Sequence, residues 1–141
     1  MPNIRWLLAV ITKLHRGLYR ATGGRLGERA LGFRFLLLGC AGRKSGREYV
    51  VPLLTVEDGG RFVVVGSNAG DPRDPAWWLN LRARPEAWIQ LGRRHLAVRA
   101  REASPSEAER LWPRLLEAYP SYEAYRARAG RPIPLVLLEP V

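Results

Sequence analysis

The stretch FRFLLLGCAGRKSGREYVVPLLTVEDGGRFVVVGS, residues 33–67, alternates three apolar runs with two turn signals. Phe33 to Cys40, Glu48 to Val56 and Arg61 to Ser67 each have the length and apolar content of a strand. Glu57-Asp58-Gly59-Gly60 joins the last two runs, and Asp-Gly between apolar runs predicts a hairpin, because glycine accepts the positive φ that tight hairpin turns demand. The first two runs are joined by Gly42-Arg43-Lys44-Ser45-Gly46. A turn needs only small residues, so two cations and a hydroxyl held between glycines make a candidate anion site, with phosphate the natural guest. A solvated hairpin tip is the plainer interpretation of the same residues.

Gly39-x-x-Gly42-Arg-Lys-Ser is not a nucleotide P-loop. That motif needs four residues between its glycines, Lys directly after the second, and then a long helix, whereas a strand follows here. Lys44 is one of only two lysines, with Lys13, in a chain whose other basic residues are arginines, which hints that a compact ammonium is wanted in the turn.

Beyond residue 67 the pattern predicts two helices and three further strands. Ala87 to Leu91 and His95 to Arg101 form a second hairpin about Gly92-Arg93-Arg94, and Pro132 to Leu138 a last strand. Asp74-Pro75 reads as an N-cap followed by Pro at the first helical position, opening a helix over Ala76 to Leu81. Ser104-Pro105-Ser106-Glu107 is a capping box for a helix through about Ala118. Residues 1–20 place Trp6, Leu7, Val10, Ile11, Leu14 and Leu18 at helical spacing, with Arg5, Lys13, Arg16 and Arg20 elsewhere around the wheel. This predicts an amphipathic N-terminal helix that packs on its own domain or touches an anionic membrane surface; it lacks the small-residue cleavage pattern of a signal peptide. Ala21 to Gly32 is a connector. Strands joined mainly by hairpins imply a mainly β, α+β fold, an antiparallel barrel or sheet with peripheral helices, and not a doubly wound parallel sheet.

The 141 residues, 47% hydrophobic, suit a single domain over 1–141. A net charge of +10 implies an anionic partner of some kind. One cysteine, Cys40, excludes an internal disulfide and suits a buried strand thiol in a cytoplasmic protein. His15 and His95 stand in no ligand-spaced motif, so no metal is expected. No run approaches the ~18 to 20 apolar residues that cross a bilayer.

Three segments carry more chemistry than a fold needs: the basic turn continuing into Pro52-Leu53-Leu54; Gly66-Ser67-Asn68-Ala69-Gly70 followed by Pro75-Ala76-Trp77-Trp78-Leu79-Asn80; and Tyr119-Pro120-Ser121-Tyr122-Glu123-Ala124-Tyr125. Proline within a strand forfeits a ladder hydrogen bond, which points to an edge at Pro52. With Asp74 and Ile133-Pro134 added, the order and spacing of these motifs from about Phe33 to Pro140 resemble the deazaflavin-dependent nitroreductase-like oxidoreductases, which use coenzyme F420 on a split β-barrel related to FMN-binding barrels.

The resemblance implies that Arg43, Lys44 and Ser45, with Gly46, bind the phosphate and acidic tail of the deazaflavin. It implies that Pro52, Leu53, Leu54, Ser67 and Asn68 border the ring system, and that Trp77 and Asn80 close the groove from the helix side. Tyr122 and Tyr125 fall where relatives line the substrate pocket; a phenol there can donate to a quinone, nitro or enone oxygen that gains charge as hydride arrives. Helical packing explains the same tyrosine spacing, and a core role explains Trp77. Three residues depart from the family pattern: Tyr49 stands where many relatives carry a basic residue, with Arg47 as a neighbouring replacement, Thr55 where an aromatic is common, and Asp74 where His is frequent. The implied function is hydride transfer from reduced F420 to a small-molecule acceptor, in a homodimer by default. The alternatives are an FMN-binding flavoprotein on the same barrel and a non-catalytic deazaflavin carrier. A nucleic-acid partner is not expected, though Trp77, Trp78 and Trp88 with the basic charge would suit one if they formed an exposed stacking surface.

Overall fold

Alternating apolar runs pair into one antiparallel sheet, seen in a computed structural model that describes residues 29–30 and 33–141. The expected N-terminal helix lies outside the described residues. The strands are β1 (Arg29–Ala30), β2 (Phe33–Ala41), β3 (Glu48–Leu54), β4 (Val56–Asp58), β5 (Arg61–Val65), β6 (Glu86–Leu91), β7 (Arg94–Glu102) and β8 (Leu135–Pro140). The helices among the described residues are α1 (Ala76–Ala83), α2 (Pro105–Ala118) and α3 (Tyr122–Ala129), with one 3-10 turn at Asn68–Gly70. No described helix is long and apolar enough to cross a membrane.

The sheet runs β1-β2-β6-β7-β8-β5-β4, with β3 also paired to β2. β3 sits against β2 from Phe35↔Leu54 to Ala41↔Glu48, while β4 sits against β5 from Val56↔Val63 to Asp58↔Arg61. The expected single strand from Glu48 to Val56 is therefore two strands, separated by Thr55 alone. The segment pairs with one end of the strand order before Thr55 and with the other end after it, which closes the sheet into a split β-barrel. Thr55 makes the join: its N–H donates to the Arg34 carbonyl at 3.0 Å, and its hydroxyl donates to the Val63 carbonyl at 3.0 Å. The residue is buried. Gly59 and Gly60 take φ of +59° and +87° in the two-residue loop closed by the Asp58↔Arg61 pair, as the hairpin signal predicted.

Closure divides the apolar residues by strand parity. Leu36, Leu38 and Cys40 of β2, Phe62 and Val64 of β5, and Val136 and Leu138 of β8 face the interior, where Trp77, Trp78 and Leu81 of α1 plug the barrel. Val63, Val65, Leu135 and Leu137 point the other way and meet Leu111 and Leu115 of α2, Tyr122 and Ala129 of α3, and Ile133. β5 and β8 are covered on both faces, which is why each is a continuous apolar run. Trp88 lies across Gly39, its register partner on β2, so closely that any Cβ on Gly39 would collide with the indole. Trp77 and Trp78 are buried in the plug, so the three tryptophans form no exposed stacking surface.

The helix starts differ in instructive ways. Ser104 accepts from the Glu107 N–H at 3.2 Å while its own N–H donates to Glu107 Oε1 at 2.8 Å, the capping box expected of α2. The expected Asp74 cap does not form. Pro75 occupies the cap position and its carbonyl accepts from Trp78 and Leu79, while the Asp74 carboxylate is taken by Arg131 Nη1 at 2.8 Å. α3 was not expected: alanine and arginine alternate through its second half and no side chain caps it.

An ionic cluster ties α2 to the β4–β5 hairpin. Arg110 donates to both Asp58 oxygens, at 3.0 and 2.9 Å, and Arg61 and Arg114 reach the same carboxylate. The Arg110 hydrogen bonds are the largest influence holding the Asp58 carboxyl down at about 2, against an ordinary 3.8. A depressed carboxylate contributes stability that is complete above its unfolded value and disappears as pH falls through its folded value. The wild-type melting temperature is expected to drop between about pH 4 and pH 2 with a component missing from Asp58→Asn; parallel pH profiles for the two proteins would refute the assignment. At the barrel join, Thr55→Val is expected to lower unfolding stability by about 1 to 2 kcal/mol in urea titration, the scale of a buried hydrogen bond left half made. A stability equal to wild type would remove the hydroxyl from that role.

Candidate active site

A cavity of about 770 Å³ opens between β3, the basic turn, the loop after β5, the first turn of α1 and the tyrosines of α3. Among the described residues β3 has a strand neighbour only on its β2 side, and residues 49–54 line the cavity, so Pro52 stands on an edge strand as its chemistry predicts.

The basic turn is closed by two backbone hydrogen bonds, Gly42 N–H to the Arg47 carbonyl at 2.7 Å and Gly46 N–H to the Gly42 carbonyl at 2.8 Å. Gly46 has φ of +75°, a conformation that explains a glycine at the end of the turn. Ser45 Oγ accepts from the Arg47 N–H at 3.2 Å, which leaves the hydroxyl proton for another acceptor. Asn80, buried on α1, fixes the turn from beneath. Its Oδ1 accepts from both the Arg43 backbone N–H at 3.1 Å and Arg43 Nη1 at 2.9 Å, and its Nδ2 faces Cys40 Sγ at 3.9 Å. Burial raises the Cys40 thiol above its ordinary value and keeps it neutral. Lys44 is exposed at the rim and has no hydrogen-bond or ion-pair partner among the described residues.

Across the cavity, Ser67, Asn68 and Ala69 belong to a loop whose backbone is strained: Asn68 and Ala69 have φ of +47° and +53°. A left-handed non-glycine residue costs roughly 1 kcal/mol and persists only where its surroundings impose it. Arg131 brackets the two residues from both sides, and Arg128 Nη1 reaches the Ala69 carbonyl at 3.5 Å. The Arg131 guanidinium donates to the carbonyls of Gly66, Ser67, Asp71 and Arg73 at 2.9 to 3.3 Å and to Asp74 Oδ1 at 2.8 Å. Sequence reasoning missed Arg131, because a lone arginine far along the chain gives no sign that it collects carbonyls.

The third wall is aromatic. The Tyr119 and Tyr122 rings lie 4.8 Å apart, and the Tyr119 and Tyr125 hydroxyls share a 3.1 Å hydrogen bond. Tyr122 is buried yet lines the cavity, and its hydroxyl has no hydrogen-bond partner among the described residues. Burial raises this phenol well above its usual range, so it stays protonated and able to donate. Tyr125 is raised as well, first by its bond with Tyr119.

Arg43, Lys44, Ser45, Pro52, Leu53, Leu54, Ser67, Asn68, Trp77, Asn80, Tyr122 and Tyr125 all border this one cavity; Gly46 does not. Trp77 is both a plug residue and a wall residue. Two departures from the family pattern fall elsewhere: Thr55 and Asp74 line no part of the cavity, the first being the barrel join and the second the partner of Arg131. Tyr119 and Tyr49 line it without having been singled out as site residues. The helical spacing of Tyr119 from Tyr122 was the available signal. An edge of cations, a slot of aliphatic and indole walls and a set of phenol donors suit a ligand with a flat apolar head and an anionic tail.

A family model described as F420H(2)-dependent quinone reductase matches residues 11–140. The chain belongs to this family. An F420H(2)-dependent quinone reductase of Mycobacterium tuberculosis is 36% identical, covering 98% of each chain. Among solved structures, an F420-H2 dependent reductase is 38% identical over 74% of this chain and 93% of its own, with a TM-score of 0.69. Another, titled as a domain-swapped dimer, is 33% identical over 96% of this chain and 98% of its own, with a TM-score of 0.73. As an F420H2-dependent quinone reductase family member the protein is an oxidoreductase with coenzyme F420 as its cofactor, and the donor set around the cavity fits that cofactor's anionic and aromatic halves.

The loop clamp is testable in this reductase. Arg131→Gln is expected to speed hydrogen exchange at residues 66–71 by tenfold or more, while amides of β2 and β6 hold their wild-type protection. Uniform loss of protection across the chain would make Arg131 a global stability residue instead of a loop clamp.

Proposed function

We propose that the protein transfers a hydride from reduced F420 to a quinone in this cavity, with Arg43, Lys44 and Ser45 holding the cofactor's phosphate and acidic tail. The observation that carries the proposal is the convergence of the cationic turn, the apolar slot and the tyrosine hydroxyls on one cavity. When bound, the deazaflavin supplies a two-electron hydride. The chain's own residues bind, orient and exclude water. Pro52, Leu53 and Leu54 offer a flat aliphatic wall to the ring, Ser67 and Asn68 border its polar edge, and Trp77 and Asn80 close the helix side. Tyr122 donates its free hydroxyl to the acceptor oxygen that becomes negative, and Tyr125, held by Tyr119, stands beside it. The same phenol serves a nitro or enone oxygen, so those acceptors belong to the proposed range. A homodimer is inferred from the edge that β3 leaves open among the described residues and from the assembly named for one relative. The cytoplasm is the inferred compartment, with peripheral membrane contact through residues 1–20 as the alternative to their packing on the domain.

The decisive experiment titrates purified protein with F420 and with FMN, then follows oxidation of reduced F420 by a panel of quinones, nitroaromatics and enones. Tight F420 binding with quinone-dependent oxidation is the expected result. Preferential FMN binding would move the chain to the flavoprotein alternative, and F420 binding without any turnover to the carrier alternative. Lys44→Ala is expected to weaken F420 by about 1.5 to 3 kcal/mol, the range for a hydrogen bond to a charged group, and unchanged affinity would remove the turn from phosphate binding. Tyr122→Phe keeps the ring and loses only an unshared hydroxyl, so its melting temperature should match wild type while hydride transfer slows by about ten- to a thousandfold. Equal losses in rate and cofactor affinity would assign Tyr122 to packing.

A further inference from the structure

Glu48, the first acid after the basic turn, accepts a hydrogen bond from Trp88 Nε1 at 3.1 Å, and the ion-paired carboxylates among the described residues join arginines outside the turn. Asp58, Glu107 and Glu139 engage Arg61, Arg101, Arg110 and Arg114 between α2 and the hairpin, Asp74 engages Arg131, and Glu86 engages Arg99. Lys44, Arg47 and Arg84 have no carboxylate partner among the described residues, and all three are exposed. Arg84 stands at the carboxyl end of α1, where its N–H donates to the Asn80 carbonyl at 2.8 Å. A cation at a helix carboxyl terminus is favourable in itself, which accounts for an arginine at this position. It does not account for where the guanidinium lies. Arg84 Nη1 comes within 3.3 Å of the point where a Cβ would stand on Gly46, so the side chain rests on the end of a turn that already presents Arg43 and Lys44. Three cations gathered with no ion-paired carboxylate among the described residues repel one another, and an anionic ligand is what relieves that.

At the other end of the same turn the position where the family resemblance leads one to expect a basic residue holds Tyr49, whose ring lies against Gly42. The turn thus has an uncharged aromatic against its first glycine and a guanidinium against its last. We infer that Arg84 is a second anion-binding position beside the end of the basic turn, just outside the cavity lining, taking a carboxylate of the cofactor's glutamyl tail in place of the basic side chain missing at Tyr49. The inference rests on the proposal that the turn holds the deazaflavin phosphate. A planar guanidinium suits the assignment, since it accepts a carboxylate in two parallel hydrogen bonds where an ammonium offers a point charge. Neither role requires Arg84 to bury itself or to move the turn.

The test compares two ligands by calorimetry or fluorescence quenching: F420 carrying several glutamates, and its fragment ending at the phosphate. Arg84→Ala is expected to loosen the glutamylated cofactor about three- to tenfold, between the ranges for exposed ion pairs and charged hydrogen bonds. The phosphate-terminated fragment should bind Arg84→Ala as it binds wild type. Arg84→Gln, which retains the side chain's reach, should match Arg84→Ala, and adding Tyr49→Arg to Arg84→Ala should recover affinity for the glutamylated form alone. Equal weakening on both ligands would overturn the tail assignment, and so would no weakening on either. A wild-type protein that binds neither ligand would overturn the cofactor reading of the turn, and the Arg84 subsite with it.

Discussion

Thr55 carries two bonds that hold the barrel together at its seam. Its backbone belongs to the ladder with β2 through Arg34, and its side chain reaches the β5 backbone through Val63. One residue thereby serves two neighbours that no flat strand could pair with at once. A hydroxyl on a β-branched residue meets both demands, since it favours extended backbone and supplies a short donor. Everything lining the cavity from the β3 side depends on this turn of allegiance, because it is what leaves the upstream half of the segment with a strand on one side only among the described residues.

The two polar walls of the cavity are fixed by one buried and one half-buried side chain. Asn80 gives its carbonyl oxygen to Arg43, and Arg131 gives its guanidinium to the loop that carries Ser67 and Asn68. Both are side-chain to backbone clamps, and both act on segments without regular structure. Preorganisation of this kind is what lets loop residues present donors at fixed positions without the entropy loss falling at the moment of binding. The left-handed backbone at Asn68 and Ala69 is the local cost of that order.

Local chemistry made much of the architecture legible. Asp58-Gly59-Gly60, the Ser104–Glu107 capping box and the Gly42–Gly46 turn announce themselves because each requires particular residue types within four or five positions. The barrel strands were legible as runs, since parity and burial act at a spacing of two. What stayed hidden was whatever depends on a partner far along the chain. Asp74 looks like a cap until Arg131, 57 residues away, claims its carboxylate. The strand break at Thr55 is invisible because threonine suits an unbroken strand equally well. α3 escaped because no side chain caps it and its second half alternates alanine with arginine, while its tyrosines are explained by the outer core they join. The site residues quoted from the family motifs converge on one cavity, Gly46 excepted, yet Arg131 becomes evident only in three dimensions.

The division of the apolar residues into two clusters has a consequence for how such a protein changes over generations. The helix behind the basic turn is rooted inside the barrel through Trp77, Trp78 and Leu81, whereas the tyrosines are rooted outside it with Leu111, Leu115 and Ile133. The two clusters meet across the backbone of β5 and β8, whose alternate side chains serve one or the other. Volume changes in the outer cluster can therefore shift the phenols against the opening while the anchorage of the cationic turn is left in place. Diversification at one mouth of the cavity is in this way insulated from drift at the other.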